Sequence, residues 1–93
     1  MENQLNDLSI LISYRNRQVI LNFYQDEDFL WERDGFHFES IELENEQLMF
    51  SKGNGDKVFT IPLKKYVSAI RDTQFPNYFI LRNGEERLEI YFP

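Results

Sequence analysis

The stretch LSILISYRNRQVILNF, Leu8–Phe23, decides how the chain is read: two apolar runs flank a polar break at Arg15-Asn16. Folded as a hairpin about that break, it sets Leu8 against Phe23, Ile10 against Leu21, Ile12 against Val19 and Tyr14 against Arg17. Every second pair is then apolar, the period-2 signature of a half-buried antiparallel ladder. A helix would instead spread Ile10, Leu11, Ile12, Val19, Ile20 and Leu21 around its circumference. The β-branched content also favours strands. The expectation is two paired strands, with Leu11 facing Ile20 on the alternate face and Tyr24 further along it.

The same test extends downstream. A turn at Asn45-Glu46 pairs Leu43 with Leu48 and Ile41 with Phe50. A turn at Asn54-Gly55, a strong hairpin signal, pairs Phe50 with Phe59 and Leu48 with Ile61. The two registers are independent, yet both place Ile41, Leu43, Leu48, Phe50, Phe59 and Ile61 on one face. A last hairpin turns at Asn83-Gly84, with Phe79 opposite Leu88 for a two-residue loop; a three-residue loop is the alternative. Phe29, Trp31, Phe36 and Phe38 surround Asp34-Gly35, which reads as a further tight turn. Between Phe38 and Ile41 the apolar phase slips from even to odd positions, which implies a bulge near Glu39-Ser40. Leu63, Tyr66, Val67 and Ile70 follow helical spacing, so a short helix or turn is expected near 63–71.

The chain has 93 residues, sufficient for one domain spanning 1–93. Aromatic residues make up 16% of it, enough to fill a core with few side chains. The expected fold is mostly β: a single small antiparallel meander of about seven strands, curled into a barrel or sandwich to limit open edges. The acidic, polar start MENQLNDL has no signal-peptide character, and residues 1–6 read as loosely ordered. No apolar run is long enough to span a bilayer as a helix, so the expectation is a cytoplasmic protein with no membrane span.

The run IELENEQLMFSKGNGDKVFTIPLKKYVSAI, followed by FILRNGEERLEIYF, resembles the strand rhythm of bacterial PH-like domains over the last two-thirds of the chain. The resemblance implies a curled antiparallel sheet. The helix that closes such domains has no counterpart before Pro93, and no functional residue is carried over.

The net charge of −6 argues against a phosphate-backbone binder, so no direct nucleic-acid contact is expected. The absence of cysteine excludes disulfides and thiolate metal sites. The single histidine, His37, lies between Phe36 and Phe38; in a strand it points away from them, and only Glu32, Asp34 and Glu39 are near it in sequence. Asp26-Glu27-Asp28 lacks the spacing of a calcium loop and reads as a solvated turn. No nucleotide or nucleophile-elbow motif occurs. No enzyme activity, cofactor or metal is therefore expected.

Two surface features point toward a partner. Glu42, Glu44 and Glu46 alternate with Ile41 and Leu43, as an acidic stripe facing solvent or a basic surface would. Leu11, Ile20 and Tyr24 form an apolar patch on the back of the first hairpin, covered by the Leu63–Ile70 segment or left as a contact surface. Tyr78 and Tyr91 read as core aromatics with interface chemistry in reserve, and Pro93 would protect an edge. The expected function is a non-catalytic protein-binding β module, an accessory, inhibitor or immunity-type factor. Its partner is another protein, one with a basic surface if the acidic stripe takes part. A small-ligand or lipid-binding barrel and a homodimeric or larger homo-oligomeric structural protein are the alternatives.

Overall fold

The computed structural model describes residues 2–4, 8–26, 30–52, 56–72, 74–75 and 77–93. The strands are β1 (Glu2–Gln4), β2 (Arg17–Tyr24), β3 (Leu30–Phe38), β4 (Ser40–Glu44), β5 (Gln47–Ser51), β6 (Lys57–Pro62), β7 (Ser68–Asp72), β8 (Tyr78–Asn83) and β9 (Glu86–Tyr91). They form two antiparallel sheets, a six-stranded one ordered β1-β7-β8-β9-β2-β3 and a three-stranded one ordered β4-β5-β6. Glu2–Gln4 pairs along β7, and residues 1, 5 and 6 of the segment expected to be loose lie outside the described residues.

The expected first hairpin does not form. Leu8–Ser13 is a 3-10 helix, η1, and only Arg17–Tyr24 is a strand. A strand has two edges, and β2 fills both with β3 and β9, leaving none for Leu8–Ser13. The helix obeys a different period. Side chains three apart eclipse one another in a 3-10 helix, and Leu8, Leu11 and Tyr14 follow that spacing into the core. Asn16 ends the segment at φ +55°, a left-handed conformation asparagine tolerates.

The small sheet follows the sequence reading in its apolar pairs, while the β5–β6 register shifts between Phe50 and Ser51 and sets Ser51 opposite Lys57. Ile41 opposes Phe50, Leu43 opposes Leu48, Phe50 opposes Phe59 and Leu48 opposes Ile61. Asn45 and Glu46 both take positive φ, +52° and +58°, as a type I′ turn requires. The turn residues Asn54 and Gly55 lie outside the described residues. Glu39 and Ser40 both face Ser51: Ser40 is its ladder partner, and the Glu39 N–H donates to its carbonyl at 2.9 Å. Two residues against one make the expected bulge. The bulge is also the corner where the chain leaves the large sheet for the small one, so the phase slip marks a change of sheet.

Two other expectations are corrected, and a third is met in part. Asp34-Gly35 is no turn; it lies inside β3, opposite Leu21 and Ile20. Phe29 lies outside the described residues. The short helix or turn expected near 63–71 is a single 3-10 turn, η2 (Leu63–Lys65); β7 follows it, because Ala69 and Ile70 are recruited to pair with β8. Val67, nominally on the helical face, is 77% exposed. The last hairpin turns at Gly84-Glu85, one residue later than expected, so Leu81 faces Leu88 and Phe79 faces Ile90. The later register pairs apolar with apolar where the earlier one set Leu81 against Glu86. Gly84 supplies the positive φ, +61°, at the first loop position.

The two sheets share one core. Val19, Leu21, Phe38, Phe79, Leu81, Leu88 and Ile90 enter from the large sheet, Ile41, Leu48, Phe50 and Ile61 from the small one. Phe36 and Phe38 meet Phe50 edge-on across the gap, at 5.4 and 5.3 Å. Each such buried side chain contributes about 1.5–3 kcal/mol through burial.

Candidate functional site

Side chains alternate along β2, so Val19 and Leu21 face the core while Ile20, Asn22 and Tyr24 face outward. On neighbouring strands the register sets Tyr91, Glu89 and Arg87 beside them, then Tyr78 and Ile80 beyond β9, and Arg33 on β3. Among the described residues, the two helices lie elsewhere than on this outer face: η1 packs on β4 and η2 on β5.

A polar chain crosses the face. Arg33 Nε donates to Asn22 Oδ1 at 2.7 Å, and Asn22 Nδ2 donates to Glu89 Oε1 at 3.4 Å. Arg87 Nε lies 3.0 Å from Glu89 Oε2, a close ion pair whose N–H does not point at the oxygen. The Arg87 guanidinium sits 4.0 Å above the Tyr24 ring. Asn22 and Glu89 are buried although they lie on an outer face. Tyr78 and Tyr91 add a ring pair at 5.9 Å beside them. Burial first, then a hydrogen bond to the Glu89 carboxylate and its charge, pushes the Tyr78 hydroxyl well above its ordinary range. Tyr78 therefore stays a proton donor at neutral pH. The surface is rich in Tyr and Arg, residues that anchor protein interfaces.

The expected site residues separate. Leu11 is fully buried in the core, on η1 rather than opposite Ile20. Ile20 and Tyr24 share the outer face of the large sheet, half-buried. Glu42 and Glu44 lie exposed on β4, on the outward side of the small sheet, and Glu46 sits in the β4–β5 turn with Lys64 Nζ 3.4 Å from its Oε2. The Ile20–Tyr24 patch lies on the outer face of the large sheet and the Glu42–Glu44 stripe on that of the small sheet, so they do not form one surface. Leu63 and Tyr66, offered as cover for the patch, pack against the core instead.

His37 is exposed on β3, facing away from Phe36 and Phe38. Glu32 and Asp34 alternate with it and fall on the other face, so they do not orient its ring. A hydrogen bond with Asp34, with lost hydration and the neighbouring charge adding, raises the Glu32 carboxyl above its usual range. Asp26 is exposed; Glu27 and Asp28 lie outside the described residues.

Sequence reasoning missed Asn22, Arg33, Arg87 and Glu89. The pairing of β2 with β9 spans most of the chain and leaves no local signal. Only the alternation of Arg87 and Glu89 with Leu88 and Ile90 hinted that they share an outward side.

No helix among the described residues is long and apolar enough to cross a membrane. The chain matches no protein-family model, and no curated protein or solved structure matches it significantly.

Proposed function

We propose that the chain is a non-catalytic protein-binding β module of the accessory, inhibitor or immunity type, contacting its partner through the outer face of the large sheet. One observation carries this reading: Ile20, Tyr24, Tyr78, Tyr91 and Arg87 surround a buried Asn22–Glu89 pair on a face that neither helix of the described residues covers. Aromatic rings and a stacked guanidinium lose little rotamer freedom on docking, which favours their use as anchors. The non-catalytic part is supported by the orientation of His37 away from Glu32 and Asp34.

The test places a photo-crosslinking side chain at position 91 and, as a control, at the exposed Thr60. Irradiation in the source cells should give a discrete adduct from position 91 alone, lost on adding Tyr24→Ala. Adducts at twice the chain's own mass would make the face a homodimer seam. No discrete adduct would remove the reading.

A further inference from the structure

We infer that the free edge of β4 accepts an extended, basic segment of a partner protein as a fourth strand of the small sheet. The inference concerns a different surface from the large-sheet face and does not depend on it.

β4 is an edge strand, paired only with β5. Its ladder parity follows from the turn. A two-residue loop makes Glu44 and Gln47 a hydrogen-bonded pair, and bonded pairs alternate along an antiparallel ladder. Glu44, Glu42 and Ser40 therefore direct their backbone groups toward β5. Ile41 and Leu43 direct theirs outward. Two observed bonds agree with this parity: Glu39 N–H to the Ser51 carbonyl, and Leu63 N–H to the Glu46 carbonyl at 2.8 Å on the far side of β5. Among the described residues, the outward N–H and C=O groups of Ile41 and Leu43 have no backbone partner.

Space lies beside them. The helix η1 packs against β4, and between them a shallow, open groove of about 580 Å³ follows the whole of β4, with Ile12 and Arg15 on its far wall. A row of unpaired ladder groups in a groove is the template for strand addition, in which backbone bonds hold the segment and alternate side chains select it.

Charge selects the occupant. Glu42 and Glu44 project from the outward face of β4, and neither has an ion-pair partner among the described residues. A second copy pairing through its own β4 would bring these carboxylates toward one another, and like charges across strands destabilise a ladder. A segment with Lys or Arg at alternate positions sets cations against Glu42 and Glu44. Its intervening side chains then face the Ile12 side of the groove.

The experiment follows backbone amide exchange by NMR in the isotope-labelled full chain. The probe is a short, capped peptide alternating lysine and valine. The Ile41 and Leu43 amides should exchange freely alone, and about tenfold more slowly with peptide at ten times its Kd. The same peptide with glutamate for lysine should give no protection, nor should one N-methylated on the nitrogens that would pair. Glu42→Gln and Glu44→Gln should each weaken binding roughly two- to fivefold, and added salt should weaken it too. The inference fails if those amides are already protected without peptide, or if no peptide binds. It fails equally if the N-methylated peptide binds as well, which leaves only charge attraction. Protection that grows with protein concentration alone would assign the edge to a second copy and overturn it.

Discussion

Tyr14 and Phe92 stack with ring centroids 4.0 Å apart and planes 5° from parallel. The Tyr14 hydroxyl donates to Asn77 Oδ1 at 2.9 Å, and the Phe92 N–H donates to the Asn77 carbonyl at 3.0 Å. The end of η1, the approach to β8 and the residue after β9 are thus tied at one point. Phe92→Ala should cost about 3–5 kcal/mol in urea unfolding, because it opens a cavity in a fully buried position. Tyr14→Phe keeps the stack and loses one hydrogen bond, about 1 kcal/mol. Equal losses for the two variants would mean that the stack contributes little.

The Arg87–Glu89 pair is nearly buried, its side chains 14% and 11% exposed. Glu89→Ala strands a desolvated guanidinium and leaves Asn22 Nδ2 and the Tyr78 hydroxyl without their acceptor, so it should cost about 3 kcal/mol. Replacing both charges together, as Arg87→Met/Glu89→Leu, should cost much less, since the desolvation of the pair disappears with it. Chemical denaturation of both variants checks this; additive losses would show that the groups act independently.

Tyr78 makes stability fall in alkaline solution. Its folded pKa is raised above the ordinary value of 10.0, so the unfolded chain releases this proton first. The contribution is fully present below pH 10 and declines as pH climbs above it toward the folded value. Tyr66 shifts in the same direction, through burial and then the Glu86 charge. Urea midpoints for the wild type should therefore drop between about pH 10 and 11, and Tyr78→Phe should flatten the decline without abolishing it. An unchanged slope would mean that Tyr78 titrates alike in both states.

Backbone conformation separates three turn and strand substitutions. Glu46 holds φ +58° as a non-glycine residue, so Glu46→Gly should stabilise the hairpin by about 0.5–1 kcal/mol. The exposed contact with Lys64 that it removes is worth a few tenths in such pairs. Gly84→Ala should destabilise by about 1 kcal/mol although nothing crowds the position, because its φ of +61° disfavours a Cβ. Gly35→Ala should be neutral or stabilising: Gly35 lies in a strand at ordinary φ, and the nearest atoms to an added methyl are 3.8–3.9 Å away. Thermal melts of the three variants test the ranking.

The small sheet was legible residue by residue because its information is local. The register of β4 with β5 follows from a tight turn, the apolar pairs of β5 with β6 follow from a period-2 pattern, and a slip by one residue would expose the apolar face. The exposed stripe of Glu42 and Glu44 followed from the same alternation. The bulge at Glu39-Ser40 also left a local trace, the change from even to odd apolar positions.

The large sheet was legible only in its strand content. Its face exists because β2 lies between β3 and β9, and the second pairing joins residues from opposite ends of the chain. That competition turned Leu8–Ser13 from an apparent strand into a 3-10 helix: an alternating apolar segment pairs only where an edge is free. Leu11 consequently became core while Ile20 and Tyr24 stayed outside. By itself, the sequence determined that the chain is β-rich, where β4 turns into β5 and which apolar side chains of the small sheet share its inner face. Which strands neighbour one another, and hence which residues make a site, was decided by tertiary structure, because each strand has two edges and long-range partners compete for them.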